Sequence, residues 1–186
     1  MPKRTYLLLA TIINLALAAS TLAPSSAYAD SGKEIDIKVD AAIERFYDEV
    51  GGAKNFVKSS SGVLVFPSVI KAGLIVGGEY GEGALRIDGK TADYYATAAA
   101  SIGFQLGAQA KTVILVFMED SALKEFRSSE GWEAGVDGSV ALIEWGAGES
   151  IDSTNVKDPI VGFVFGNKGL MYNLTLEGSK FTKLKR

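Results

Sequence analysis

The period of the apolar positions changes once along the chain. From Asp36 it is helical: Val39, Ile43, Phe46, Tyr47 and Val50 fall at i, i+4, i+7, i+8 and i+11, one face of a helix that Gly51 and Gly52 stop. A short second helix is expected over Ala53–Lys58, with Phe56 and Val57 inward. The period then drops to that of strands. Val63–Phe66 is a β-rich run closed by Pro67, which has no N–H for a ladder. Leu74–Tyr80, Ala84–Ile87 and Asp93–Thr97 read as further strands, with Asp88-Gly89 as the turn between the last two. Ser101–Ala110 alternates, and Val113–Met118 is continuously apolar, as in a strand buried on both faces. A helix over Ser121–Ser128 places Ala122, Leu123 and Phe126 inward. Ser139–Trp145, Ile160–Phe165 and Leu170–Leu176 close the series as strands.

Two N-terminal helices, then eight or so strands broken by one inserted helix, predict an α+β domain. Its centre is expected to be a glycine-rich antiparallel sheet, curled or closed into a barrel. The 21 glycines punctuate apolar runs instead of gathering in a linker, so they bend strands and let backbones approach. No second domain and no fixed-period repeat is visible.

The first residues read as an address. Lys3 and Arg4 precede an apolar run from Tyr6 to Ala19, and small residues lead to Ala27-Tyr28-Ala29. That order is the one found in a secretory signal peptide, with cleavage before Asp30. The run is too short, and broken by Asn14, to serve as a membrane span of about 20 residues. The expected organisation is a signal peptide over 1–29, a polar disordered linker over 30–36 and one domain over 37–186, in the periplasm or outside the cell. No cysteine follows the cleavage site, so no lipid is attached there.

Composition narrows the chemistry. The chain has no cysteine and no histidine, which removes disulfides, thiolate nucleophiles, imidazole bases and His- or Cys-ligated metals. No metal or other cofactor is expected. Gly83–Thr91 imitates a phosphate-binding loop, but it has five residues between its glycines where four are needed, and it sits on a strand and hairpin turn. No nucleotide is therefore expected. Without residues 1–29, which hold two cations and no acids, the formal charge falls from −3 to −5, which argues against broad nucleic-acid binding. Among the carboxylates, Glu79 and Glu82 lie in an apolar, glycine-rich stretch and are the pair that could run a hydrolysis. Trp132, Trp145, Tyr94, Tyr95, Phe163 and Phe165 serve either as core or as a ligand groove.

Charge pattern adds a surface reading. Lys54, Lys58 and Lys71 gather around the junction of helices and strands, and Lys180, Lys183, Lys185 and Arg186 form a basic tail. Lysines beside an amphipathic helix attract anionic lipid by roughly 1 kcal/mol each.

Several ordered motifs carry a family resemblance. Gly62-Val63-Leu64-Val65-Phe66-Pro67, Lys71-Ala72-Gly73, Gly77-Gly78 and Gly81-Glu82-Gly83 are followed by Ala100-Ser101-Ile102-Gly103-Phe104-Gln105-Leu106-Gly107. Lys168-Gly169-Leu170 and Leu176-Glu177-Gly178 complete the set. Together they resemble the SYLF domain, or Ysc-type actin-binding domain, in the form of a bacterial secreted branch. The resemblance implies a non-enzymatic lipid-binding module that contacts membranes through an N-terminal amphipathic helix and nearby basic residues. On this chain those positions are Ile43, Phe46, Tyr47, Lys54, Lys58 and Lys71, although the polar face of the helix carries Asp40, Glu44, Asp48 and Glu49. The expected partner is an anionic phospholipid or membrane surface; actin, which some relatives bind, is not expected for an exported bacterial protein. The alternative is a structural or protein-interaction module of the envelope without a lipid ligand, and a hydrolase using Glu79 and Glu82 stands third.

Overall fold

The computed structural model describes residues 30–73, 76–102, 109–143, 150–152, 156–166, 169–170 and 176–186. Helix α1 (Gly32–Glu49) opens the domain, followed by α2 (Ala53–Lys58). Four long strands come next: β1 (Gly62–Gly73), β2 (Val76–Ile87), β3 (Lys90–Ile102) and β4 (Gln109–Phe117). Helix α3 (Asp120–Ser128) separates them from β5 (Trp132–Glu133), β6 (Ala141–Leu142), β7 (Ile160–Gly166), β8 (Gly169–Leu170) and β9 (Lys180–Leu184). Among the described residues the nine strands join one sheet in the order β5-β9-β3-β2-β1-β4-β7-β6, with β8 on β7, and the pairs are antiparallel except β6–β7. The expected α+β architecture with two leading helices and one inserted helix is the one observed.

Helix α1 starts earlier than the sequence suggested. Ser31 accepts from the Glu34 amide while the Glu34 carboxylate accepts from the Ser31 amide, a reciprocal capping box. The backbone hydrogen bond from Ser31 also holds the Glu34 carboxyl below the usual range. Residues 32–36, expected as disordered linker, are therefore helix; the polar residues there are cap residues. Pro67 does not end β1 either. The register slips between Val65 and Ser68 against β2, and between Phe66 and Val69 against β4. A bulge absorbs the missing N–H and the strand runs on to Gly73, while the Pro67 carbonyl accepts from Thr112 Oγ1 at 2.9 Å. Residues 180–184, expected as a basic tail, are the strand β9 on β3, because Phe181 belongs to the core.

Alternation along the strands splits the core between the two faces of the sheet. One face carries Val63, Val65, Ala84, Ile114, Val116, Val161, Phe163 and Phe165 beneath α1 and α2. The other carries Leu64, Phe66, Leu85, Tyr95, Val113, Leu115, Phe117 and Val164 against α3, Trp132 and Phe181. The second face is concave. In a flat sheet β1 and β9 would lie about 14 Å apart, three strand spacings. Yet the Phe66 and Phe181 rings are 5.6 Å apart between centroids. Phe126 of α3 closes the same hollow, its ring 5.0 Å from both Tyr95 on β3 and Phe117 on β4. Among the described residues β5 and β6 remain the two ends of the ladder, so the sheet is curled and not closed. Tyr95, Trp132, Phe163 and Phe165 are thus core; Trp145 lies outside the described residues, as do most of the alternating positions expected over 101–110 and 170–176.

One core group is out of balance. The Tyr95 hydroxyl is buried without a hydrogen-bond partner, and burial first, then the charge of Asp93, pushes its pKa up to about 12. An unfolded tyrosine ionises near 10, so between about pH 10 and about pH 12 the unfolded chain gives up a proton that the folded chain keeps. The contribution is complete below that window and is lost as pH rises through it. Tyr95→Phe is expected to remove this alkaline loss and to raise stability at neutral pH by about 1 kcal/mol, since no hydrogen bond is sacrificed. Urea midpoints of both proteins near pH 8 and near pH 11 check the difference.

Candidate functional site

Helix α1 lies across the outer face of the sheet, fixed at both ends. Near its start, Asp36 and Asp40 meet Arg86 of β2: Nη2 is 2.6 Å from Asp40 Oδ1 and 3.3 Å from Asp36 Oδ1. Arg86 also donates to Thr91 Oγ1, which in turn donates to Asp36 Oδ1 at 2.7 Å. Tyr94 donates to Asp36 Oδ2 at 2.9 Å. Burial, followed by that hydrogen bond, raises the Tyr94 pKa. At the other end Phe46 packs 4.7 Å from Phe163, and Arg45 donates to the Gly166 carbonyl at 2.7 Å. The helix therefore spans the sheet from β3 to β7.

Beside α1 this arrangement leaves a groove of about 460 Å³, a size that holds a small ligand. Ile43 and Tyr47, one turn apart on the flank of α1, form its apolar floor with Val57 of α2 and Val63 of β1. Asp40, Glu44, Lys58, Arg86 and Asp88 surround them. The turn at Asp88-Gly89 closes one side, with φ of 51° and 75°, the paired positive values of a tight two-residue hairpin. Arg86 is committed to its aspartates, whereas Lys58 is exposed and makes no ion pair among the described residues. Burial and the nearby Glu44 raise the Tyr47 pKa, so its phenol stays neutral at physiological pH. The groove can seat an apolar group on its floor with a charged group at the rim.

Of the six positions expected to contact lipid, the structure brings Ile43, Tyr47 and Lys58 to this groove. Lys54 is exposed on the neighbouring α2. Phe46 is 0% exposed, a core residue. Lys71 stands eight residues along β1 from Val63, about 26 Å at strand rise, with its Nζ 3.7 Å from Glu79. The sequence reading missed Arg86, Asp88 and Val57. An arginine inside the apolar run Ala84–Ile87 was the available signal, because a cation on a covered strand face needs acids brought to it. The Glu79–Glu82 pair dissolves. An odd separation on an unbroken strand sends the two to opposite faces. Glu79 binds Lys111 at 2.6 Å, and Glu82 binds Arg186 at 2.8 Å. Among the described residues no group of His, Cys, Asp and Glu is placed to hold a metal ion, and no helix is long and apolar enough to cross a membrane.

Residues 98–186 match the model of the Ysc84 family, described as Las17-binding protein actin regulator. The match runs from the end of β3 through α3 to β9; every groove residue precedes it. No curated protein matches the chain.

Proposed function

We propose that this chain, which carries the Ysc84 (SYLF) domain over residues 98–186, is a non-enzymatic module that binds lipid at a membrane surface through the groove beside α1. The observation that carries the reading is the apolar floor of Ile43, Tyr47, Val57 and Val63 beneath the unpaired Lys58. That combination suits an amphipathic ligand whose apolar part is buried while its headgroup stays at the rim. Lys54, exposed on the same short helix, adds a second cation beside a rim that also carries Glu44 and Asp88. Lys71 is left out, since Glu79 holds it at the far end of β1.

Vesicle flotation of the full chain tests this. Anionic vesicles are expected to retain the protein at low salt and to release it as salt rises, because the attraction is screened. Lys54→Glu with Lys58→Glu should weaken binding by at least about twentyfold, at roughly 1 kcal/mol for each basic residue removed. Lys71→Glu should leave it unchanged. Equal binding by the double variant and the parent would end the assignment to this groove.

The family description names a protein target, and this favours a second reading in which the chain takes a protein partner in place of lipid. Failure to bind vesicles of any charge at either salt would select it. Export is part of the proposal. The capping box that starts α1 lies at Ser31, just past the expected cleavage before Asp30. A mature N-terminus at Asp30, read by sequencing the exported protein, is the expected result; retention of residues 1–29 would refute it.

A further inference from the structure

On the concave side, opposite the groove, an open cleft of about 410 Å³ runs between α3 and β9, lined by Asp120, Leu123, Lys124, Arg127, Ser128 and Lys183. Two of its cations share Asp93 of β3, whose side chain is only 10% exposed. Arg127 reaches Asp93 Oδ2 through Nε and Nη2, each at 2.9 Å, and Lys183 Nζ reaches Oδ1 at 2.5 Å. One carboxylate thus holds two cations side by side and neutralises only one of them. Its bonds use Nε and Nη2, which leaves the Nη1 donors of Arg127 to a ligand. Lys124, three residues before Arg127 on the same helix face, makes no ion pair among the described residues. Asp120, the acid on the wall, accepts from the Ser61 hydroxyl at 2.5 Å. Ser128 is committed to the Glu125 carbonyl at 2.9 Å.

The balance is therefore three cations against Asp93 and Asp120, a local positive excess on a chain of net charge −3. A guanidinium oriented by Asp93 and two ammonium groups lining the same cleft supply the charge-assisted donors that a tetrahedral oxyanion accepts. We propose that this cleft is a second binding site, for a phosphate group, supplied free or by a lipid headgroup. It is independent of the groove, which lies across the sheet.

The test is an NMR titration of the full chain with inorganic phosphate, against chloride at matched ionic strength. Saturable shifts are expected for the Arg127 Nε–H and for the backbone amides of α3 and β9. Lys124→Gln with Lys183→Gln should weaken phosphate binding by at least about tenfold. The fold should stay intact, because Arg127 still partners Asp93. Lys54→Glu with Lys58→Glu should leave the titration unchanged, separating this site from the groove. Flotation on phosphatidylcholine vesicles with and without phosphatidic acid distinguishes the source. A matching loss of vesicle binding in the Lys124/Lys183 variant assigns a headgroup, and loss of inorganic phosphate binding alone assigns the free anion. Shifts equal to those in chloride, or an unchanged affinity in that variant, would overturn the proposal.

Discussion

Phe46→Ala is expected to cost about 4 kcal/mol, most of the stability of a domain at the low end of the ordinary range. The ring is 0% exposed. It lies 4.7 Å from Phe163 and 5.8 Å from Phe165, so truncation opens a cavity where α1 meets β7. Thermal melts of the variant check this. The result also separates the two roles an apolar helix residue can play. Tyr47, one position on, is half-buried at the groove, and Tyr47→Ala should weaken vesicle binding with a smaller loss of stability. A Phe46→Ala protein that melts like the parent but has lost vesicle binding would place Phe46 on the outside.

Gly83→Ala is expected to cost about 3 kcal/mol or more, or to block folding, although it adds a single methyl group. A Cβ at Gly83 would sit 2.1 Å from the Val65 carbonyl oxygen and 2.8 Å from the Phe66 ring. The oxygen is backbone beside the β1 bulge and cannot retreat without breaking the β1–β2 ladder where the sheet curls. Gly78→Ala is the control on the same strand, since its nearest neighbour would be the Ala99 carbonyl at 3.8 Å. Thermal melts and soluble yield should show the first variant lost and the second close to the parent. A Gly83→Ala midpoint within about 2 °C of the parent would refute the tight approach.

Both outcomes depend on facts that local pattern conveys only in part. The spacing of Val39, Phe46 and Val50 marked an amphipathic helix, but Ile43 and Tyr47 share its apolar stripe. Nothing in the stripe tells which flank is covered by β7 and which borders a groove. Lys54, Lys58 and Lys71 cluster along the chain, yet β1 carries Lys71 away from the other two to Glu79. Glu79 and Glu82, three positions apart, are separated by the pleat. The C-terminal lysines looked like a tail because charge dominates the segment; a single buried ring, Phe181, makes it a strand.

What the sequence determined by itself is what neighbouring residues enforce: the helices of periodic apolar spacing, the Asp88-Gly89 turn, the mixed α+β class and the absence of thiol and imidazole chemistry. The tertiary structure alone decided between a curled and a closed sheet, the burial of Phe46, the Arg86 contacts with Asp36 and Asp40, and the pairing of Arg127 and Lys183 on Asp93. Each of these joins residues distant in the chain. Their contacts depend on how nine strands order themselves and where a bulge shifts the register, which short-range periodicity does not encode.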